Sequence, residues 1–157
     1  MNPGKPDPIK AADLPSLVGQ EQEPSSWLEM TQQRVNEFAD ATNDHQFIHV
    51  DPEKAAQTPF GGPIAHGFLT LSLIPFLTEE KSREIEGLVM GINYGSDKVR
   101  FLQPVRVGDR IRAHRKVLDV VEKNPGQWLL RTLISIEIEN QEKPALVAEF
   151  LAMMIVK

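Results

Sequence analysis

The segment from Phe68 to Leu77, FLTLSLIPFL, carries apolar side chains on every face that a helix would have. A helix that is apolar all round has to be covered on all sides. In a chain of 157 residues, a curved sheet is the simplest way to surround one helix. Pro75 has no N–H to donate within such a helix and is predicted to kink or end it. The segment therefore predicts a buried helix wrapped by a sheet.

Strand patterns follow in the second half of the chain. The alternation of Ile134, Ile136 and Ile138 with polar residues is typical of an antiparallel strand that has one face on the core. Residues 145–156 are nearly continuously apolar, which predicts a strand that is covered on both faces or lies at a subunit contact. We predict an α+β fold in which about five antiparallel strands, four of them long, surround the helix.

The N-terminal part of the chain differs in composition from the rest. Residues 1–24 are polar and rich in proline, which predicts a partly irregular lead-in before a single domain over residues 25–157. A short strand is expected over residues 26–30, followed by a helix with Thr31 as its N-cap. That helix carries an apolar stripe at Val35, Phe38, Ala39 and Thr42.

Charge and composition exclude several classes of function. The net charge of −5 argues against a general nucleic-acid-binding protein, which needs Lys and Arg to neutralise phosphates. The chain has no cysteine, so disulfides and thiolate nucleophiles or metal ligands are excluded. The N-terminus has no apolar signal-peptide core, and the longest apolar run, residues 67–77, is too short to span a bilayer. We expect a cytoplasmic protein with no nucleic-acid or membrane partner.

Residues 44–67, DHQFIHVDPEKAAQTPFGGPIAHG, form the segment with the most reactive side chains. Long connections inside small domains are uncommon and are often functional. The side chains that can exchange protons or bind metals are Asp44, His45, His49, Asp51 and His66.

Asp44 and His49 are the strongest pair in this segment. If the chain leaves the preceding helix near Asn43, the two side chains can face one small volume, where a carboxylate and an imidazole form an acid/base pair. A structural interpretation stays open, in which Asp44 caps a turn and His49 is a partly buried, hydrogen-bonded side chain. Asp51 and His45 are expected to serve the structure.

His66 and Gly67 stand where the apolar helix is predicted to begin. Backbone N–H groups at a helix start lack intrahelical acceptors, so they suit a developing oxyanion such as the enolate of a thioester. Close packing of the helix against the sheet explains a glycine at this position equally well.

Two other kinds of site are weaker hypotheses. The histidines and aspartates of residues 44–67 are acceptable metal ligands, and His45 and His49 have i, i+4 spacing. The segment lacks the helical regularity of a metalloprotease motif, so no metal is predicted. A serine nucleophile is not expected, because the chain has no Gly-x-Ser-x-Gly pattern.

Seven basic residues lie between residues 98 and 116, against a single acid, Asp109. They are Lys98, Arg100, Arg106, Arg110, Arg112, Arg115 and Lys116. Such a cluster can hold a phosphorylated ligand. The competing explanation is a solvated strand edge protected by charge, which we favour for most of these side chains.

The run FADATNDHQFIHVDPEKAAQTPFGGPIAHGFLTLSL resembles the hydratase signature of the MaoC-like dehydratases, the family of R-specific enoyl-CoA hydratases, and in particular its nodulation-protein-N-like branch. The later run INYGSDKVRFLQPVRVGDRIR is similar to the same branch. The resemblance implies a hot-dog fold, an antiparallel sheet around a long central helix, in a homodimer. It also implies reversible hydration of trans-2-enoyl-CoA to (3R)-3-hydroxyacyl-CoA, with no metal or redox cofactor.

Site residues carry over by position. The resemblance implies that Asp44 and His49 are the catalytic acid/base dyad. It also implies that Gly67, preceded by His66, supplies the backbone N–H that polarises the thioester carbonyl. One departure is Pro75, which stands where some relatives have a serine near the dyad.

The substrate pocket follows from the same resemblance. Phe47 and Phe60 are expected to shape it, although Gln46-Phe47 stands where many relatives have Asn-Pro. Candidates for contacts with the phosphates of coenzyme A are Lys98, Arg100 and Arg106. The main hypothesis is an R-specific enoyl-CoA hydratase. The alternatives are an acyl-CoA thioesterase of the same fold and a non-catalytic module that binds acyl thioesters.

Overall fold

Six antiparallel strands form one sheet in the computed structural model, which describes residues 5–157. The strands are β1 (Glu21–Gln22), β2 (Leu28–Glu29), β3 (Leu88–Phe101), β4 (Arg110–Asn124), β5 (Gln127–Ile138) and β6 (Leu146–Val156). Their order is β1-β4-β5-β6-β3, and β2 also pairs with β4. The four long strands and the short strand β2 confirm the prediction, whereas β1 was not predicted.

Short helices connect these strands, and none of the described helices is long and apolar enough to cross a membrane. They are a 3₁₀ helix (Ala11–Leu17), α1 (Gln32–Thr42), α2 (Phe47–Val50), α3 (Pro52–Ala55), α4 (Gly67–Ser72) and α5 (Ile74–Glu79). Thr31 caps α1 as predicted, because its hydroxyl accepts a hydrogen bond of 3.2 Å from the N–H of Arg34.

The central helix is broken into two pieces. Helices α4 and α5 have six residues each and meet at Leu73. Pro75 lies in the first turn of α5, where its missing N–H leaves no hydrogen bond unmade. The break at this proline confirms the prediction, but the single long helix that the resemblance implied is not present.

One face of the broken helix packs into the sheet. Leu69, Ile74 and Leu77 are buried in a core cluster with apolar side chains of β4, β5 and β6. Phe68 and Phe76 lie on the other face and are 67% and 62% exposed. The prediction of burial on all sides is wrong for a single chain, because the sheet covers only one side of these helices.

The apolar strand β6 lies inside the sheet, between β5 and β3. Its side chains are buried or half-buried. One edge of the sheet is the long strand β3, which pairs only with β6 among the described residues, and the short strands β1 and β2 lie at the other edge. This strand exposes the apolar residues Leu88, Val89, Met90, Ile92 and Tyr94. The surface available to a second subunit is therefore β3 rather than β6.

The predicted lead-in contributes to the fold. Ile9, Leu14 and Leu17 are buried in a second core cluster with Val117 and Val120 of β4. This cluster packs the 3₁₀ helix against β4. The division of the chain after residue 24 stays a prediction.

Candidate active site

The segment over residues 44–67 is held by backbone hydrogen bonds at both ends. Asn43 ends α1 in the left-handed conformation, with φ of 59°, which turns the chain out of the helix before Asp44. At the other end, the N–H of Ile64 donates to Ile48 (2.9 Å) and the N–H of Ala65 donates to Val105 (2.8 Å). These bonds bring α2 and the start of α4 together.

Asp44, His49 and His66 converge at this junction. The three side chains offer nitrogen and oxygen atoms that all lie within 4.8 Å of one another. His49 and His66 are buried, and Asp44 is exposed. The structure thus brings the predicted pair together, because the chain leaves α1 before Asp44 and places His49 on the short helix α2.

The tautomer of His49 follows from its hydrogen bond to the backbone. Its Nδ1 lies 2.6 Å from the carbonyl oxygen of Ile64, which can only accept, so Nδ1 carries the proton. Burial lowers the pKa of His49 below 6.5, outweighing the opposing effect of the Ile64 hydrogen bond, and nearby His66 lowers it further. At neutral pH, His49 is therefore a neutral imidazole with a free lone pair on Nε2.

His66 lies behind this pair and holds it in place. Its ring stacks on His49 with centroids 3.8 Å apart and contacts Phe38 at 4.9 Å. Its Nε2 donates to the backbone oxygen of Asp44 at 2.9 Å. The side chain is not on the wall of the cleft beside His49. Its role in positioning both members of the pair was not predicted, although its place in the motif drew attention to it.

A cleft of about 310 Å³ opens beside His49. It lies between residues 60–67 and 101–105, and Phe60 forms part of its wall as predicted. Phe47 is 42% exposed on α2 and does not line the cleft. The structure therefore places Phe60, but not Phe47, where a substrate in this cleft would lie.

Gly67 lies on the wall of the same cleft and begins α4. Its N–H has no intrahelical acceptor, as for any residue in a first helical turn. A Cβ at this position would lie 2.9 Å from Cδ1 of Phe101, so the glycine also allows a close approach. Both explanations offered for Gly67 fit the structure, with Phe101 at the end of β3 as the close neighbour.

Thr70 is a cleft residue that the sequence did not reveal. Three other helical hydroxyls donate to the carbonyl four residues earlier, those of Thr42, Ser72 and Thr78. Thr70 is 3% exposed and lines the cleft with His49, yet its hydroxyl has no hydrogen bond within the described chain. A hydroxyl on the wall of the cleft is available to a water or a ligand there.

The cluster of Asp44, His49 and His66 is also the group that could approach a metal ion. The two imidazoles are stacked, with ring planes only 26° apart. An ion bound to an imidazole lies near the plane of the ring, and two stacked, nearly parallel planes have no such position in common nearby, which is unfavourable for two ligands of one ion. Asp51 and His45 serve the structure instead, since Asp51 caps α3 and His45 pairs with Asp40 at 2.8 Å.

Most of the basic segment is paired or faces solvent. Lys98 pairs with Glu149, Arg110 with Glu139 and Arg112 with Glu137, at 2.6, 3.0 and 2.6 Å. The solvated-edge explanation is wrong for Arg115, which is buried on the inner face of β4.

Arg100 and Arg106 flank the cleft residues 101–105. Both are exposed, and neither forms an ion pair within residues 5–157. Of the three predicted phosphate contacts, these two have guanidinium groups free of acidic partners, whereas Lys98 is engaged by Glu149.

The family is decided by a match of residues 13–132 to the family model of the MaoC like domain. The chain belongs to the MaoC-like dehydratase family. It is 46% identical over 145 residues to nodulation protein N of Rhizobium meliloti, covering 92% of this chain and 90% of that protein. It is 47% identical over 138 residues to 3-hydroxyacyl-thioester dehydratase Z of Mycobacterium tuberculosis, covering 88% and 91%.

Solved structures of the family confirm the hot-dog fold. The (R)-hydratase of Aeromonas caviae, involved in PHA biosynthesis, superimposes with a TM-score of 0.70 at 27% identity, covering 86% of this chain and 94% of that one. Because the relatives are named as dehydratases and hydratases, the predicted enzyme class, a hydro-lyase, is confirmed as well.

The environment of His49 predicts its titration. Because the folded-state pKa lies below 6.5, the unfolded chain binds more protons than the folded chain between the two values. His49 should therefore titrate below pH 6.5 by NMR. As the pH falls from 6.5 to the folded-state pKa, His49 should reduce the free energy of unfolding. Above this pH range it should have no such effect. A midpoint at or above pH 6.5 would contradict the buried, neutral state.

Proposed function

We propose that this protein is an R-specific enoyl-CoA hydratase that reversibly hydrates trans-2-enoyl-CoA to (3R)-3-hydroxyacyl-CoA. The observation that carries the proposal is the free Nε2 of His49, held beside the carboxylate of Asp44 at a cleft whose wall includes Gly67. The relatives named as a 3-hydroxyacyl-thioester dehydratase and an (R)-specific enoyl-CoA hydratase support the same reaction.

The chemistry requires two proton transfers and one stabilised charge. A water held by Asp44 and His49 loses a proton to the dyad as its oxygen attacks C3 of the enoyl group, and the dyad returns a proton to C2. The negative charge that develops on the thioester oxygen is stabilised by the N–H of Gly67. Helix α4 has only six residues, so this single donor contributes more than the helix dipole. The dyad titrates as a unit, so the two proton transfers are assigned to the pair.

The substrate enters with its coenzyme A near Arg100 and Arg106. These exposed guanidinium groups flank the cleft, and guanidinium groups match phosphates well. Neither a metal ion nor a redox cofactor takes part in the proposed reaction, because the charge and the protons are handled by Gly67 and the dyad. The cytoplasm stays the predicted location.

Substitution of the dyad tests the proposal. Asp44→Asn and His49→Ala should each lower kcat for hydration of crotonyl-CoA by about 10²–10⁴-fold, since general acid/base catalysis contributes that much. The measurement is loss of the enoyl absorbance, with chiral analysis of the product and far-UV circular dichroism to check folding.

The matched control is His45→Ala, because His45 lies in the same loop but its ring pairs with exposed Asp40. It should retain wild-type turnover. Unchanged turnover in folded dyad variants would reject the proposed role of the pair. Release of free coenzyme A, detected with a thiol reagent and lost in the dyad variants, would instead indicate a thioesterase.

Thr70 should contribute to turnover through its hydroxyl. Thr70→Val removes the hydroxyl and keeps the shape, so we expect kcat to fall by about tenfold, as for the loss of one hydrogen bond. Thr42→Val is the matched control, since the hydroxyl of Thr42 donates to Phe38 on α1 and should not affect kcat. Equal kcat values for the two variants would show that the Thr70 hydroxyl takes no part in the reaction.

We further propose that the protein is a homodimer joined along β3. This strand is one edge of the sheet, and its apolar side chains are exposed in a single chain. Long, exposed, apolar edges are rare in monomeric proteins because they invite pairing with another chain. The exposed faces of Phe68 and Phe76 are a second apolar surface that a single chain leaves uncovered.

Light scattering after size-exclusion chromatography tests the dimer. The wild-type protein should have the mass of two chains, and Ile92→Lys should shift the mass towards one chain, because it places a charge among the exposed apolar side chains of β3. Val121→Lys alters an apolar residue of similar exposure on β4 and should leave the dimer intact. A wild-type protein with the mass of one chain would refute the proposal.

A further inference from the structure

A second cavity, of about 160 Å³, lies under the 3₁₀ helix and the end of α5. Its floor is the inner face of β4, β5 and β6, and it shares no lining residue with the cleft beside His49. Most of its wall is apolar, formed by Leu14, Leu17, Val117, Leu130 and Ile134 among others.

Arg115 interrupts this apolar wall. Along β4 the buried positions alternate, and the inner row consists of Ile111, Ala113, Arg115 and Val117. Arg115 is therefore the one charged side chain in that row, and it is only 9% exposed. Arg112, on the opposite face of the same strand, is paired with Glu137.

The guanidinium of Arg115 is only partly satisfied. Nη1 donates to the carbonyl oxygen of Thr78 (2.7 Å) and to Oγ of Ser82 (2.6 Å). Nη2 is buried and has no hydrogen-bond partner within the described chain. None of the residues that line the cavity is acidic, so the charge is not neutralised there. Burial lowers the pKa of Arg115 to about 10, which leaves the group protonated at neutral pH.

A purely structural role explains only half of this arrangement. The bond from Nη1 to Thr78 ties β4 to the last turn of α5, where carbonyl groups lack intrahelical partners. It does not account for Nη2, since a buried, unpaired charged donor is costly. Thr132 on β5 and the exposed Arg83 also line the cavity, so its polar groups include a hydroxyl and a second cation.

We propose that this cavity binds a carboxylate carried on a short apolar chain, with Arg115 as the anion-binding residue. A carboxylate accepts hydrogen bonds from a guanidinium in good geometry and would neutralise its charge. The apolar walls would hold the chain. Two sources fit this chemistry: a free alkanoate, or the far end of an acyl chain whose thioester occupies the cleft. Only the second source rests on the proposed function.

Binding of alkanoates tests the site directly. Hexanoate and octanoate are titrated into the wild-type protein by calorimetry. The affinity of each acid is compared with that of the primary alcohol of the same length. We expect saturable binding of the acid at least about tenfold tighter than that of the alcohol, because only the acid meets the guanidinium. Equal or undetectable binding of acid and alcohol, together with no preference in the substrate experiment below, would overturn the proposal.

Variants localise the binding. Arg115→Met should abolish the preference for acid over alcohol, and Arg112→Met, on the outer face of the same strand, should retain it. Because Arg115→Met can fail to fold, Ala152→Leu serves as a second test: it fills the cavity from β6 and leaves Arg115 in place. Retention of octanoate binding in folded Ala152→Leu would place the acid elsewhere and overturn the proposal.

Substrate selectivity separates the two sources. For enoyl-CoA substrates of equal length, a terminal carboxylate in place of a methyl should raise kcat/KM by about tenfold if the cavity holds the far end of the chain, and Arg115→Met should remove that gain. Alkanoate binding without this gain supports a free carboxylate as the ligand. Alkanoate binding in a protein that hydrates no enoyl-CoA would leave this site standing and reject the proposed function.

Discussion

The hydrogen bond from Nδ1 of His49 to the carbonyl of Ile64 connects the fold of this protein to its chemistry. It spans 15 residues of sequence and joins α2 to the chain just before α4, at 2.6 Å. The same bond fixes the proton on Nδ1 and leaves Nε2 free. If this contact were lost, the loop would lose a buried tether and the imidazole would lose its defined tautomer at the same time.

Burial of two stacked imidazoles determines how the pair can act. Each ring donates to a backbone carbonyl, His49 to Ile64 and His66 to Asp44, so each has a defined orientation. The apolar surroundings disfavour an imidazolium, as the lowered pKa of His49 shows. The nearby charge of Asp44 acts in the opposite direction. Burial and Asp44 therefore act on the pKa of His49 in opposite directions, and burial is the larger effect.

Features of the site that depend on residues close in sequence could be predicted. Features that depend on contacts between distant residues could not. The spacing of Asp44 and His49 allowed them to converge only if the chain left the helix near Asn43, and the left-handed turn at Asn43 meets that condition. The exposure of Phe68 could not be predicted, because apolar periodicity shows that a face needs cover but not whether the cover comes from the same chain. The direction of the Thr70 hydroxyl depends on its rotamer, which no pattern records.

The inward position of Arg115 is different, because the information was present in the alternation of β4. Ile111, Ala113 and Val117 form the inner row of β4, in which every second residue faces the core. Residue 115 belongs to the same row. The signal was obscured by the neighbouring basic residues, whose number suggested a single solvated cluster.

Pro75, which by resemblance stands where some relatives have a serine, changes the groups that the central helix can offer to the cleft. A proline supplies neither a hydroxyl nor an N–H, and here it begins α5. Helix α4 ends just before this point, and its Thr70 lines the same cleft as His49. A hydrogen-bonding group is thus available from the preceding helix, less than two turns before the proline. The break in the central helix and the position of Thr70 are therefore best understood together, because α4 ends before the proline and its Thr70 places a hydroxyl on the wall of the cleft that His49 also lines.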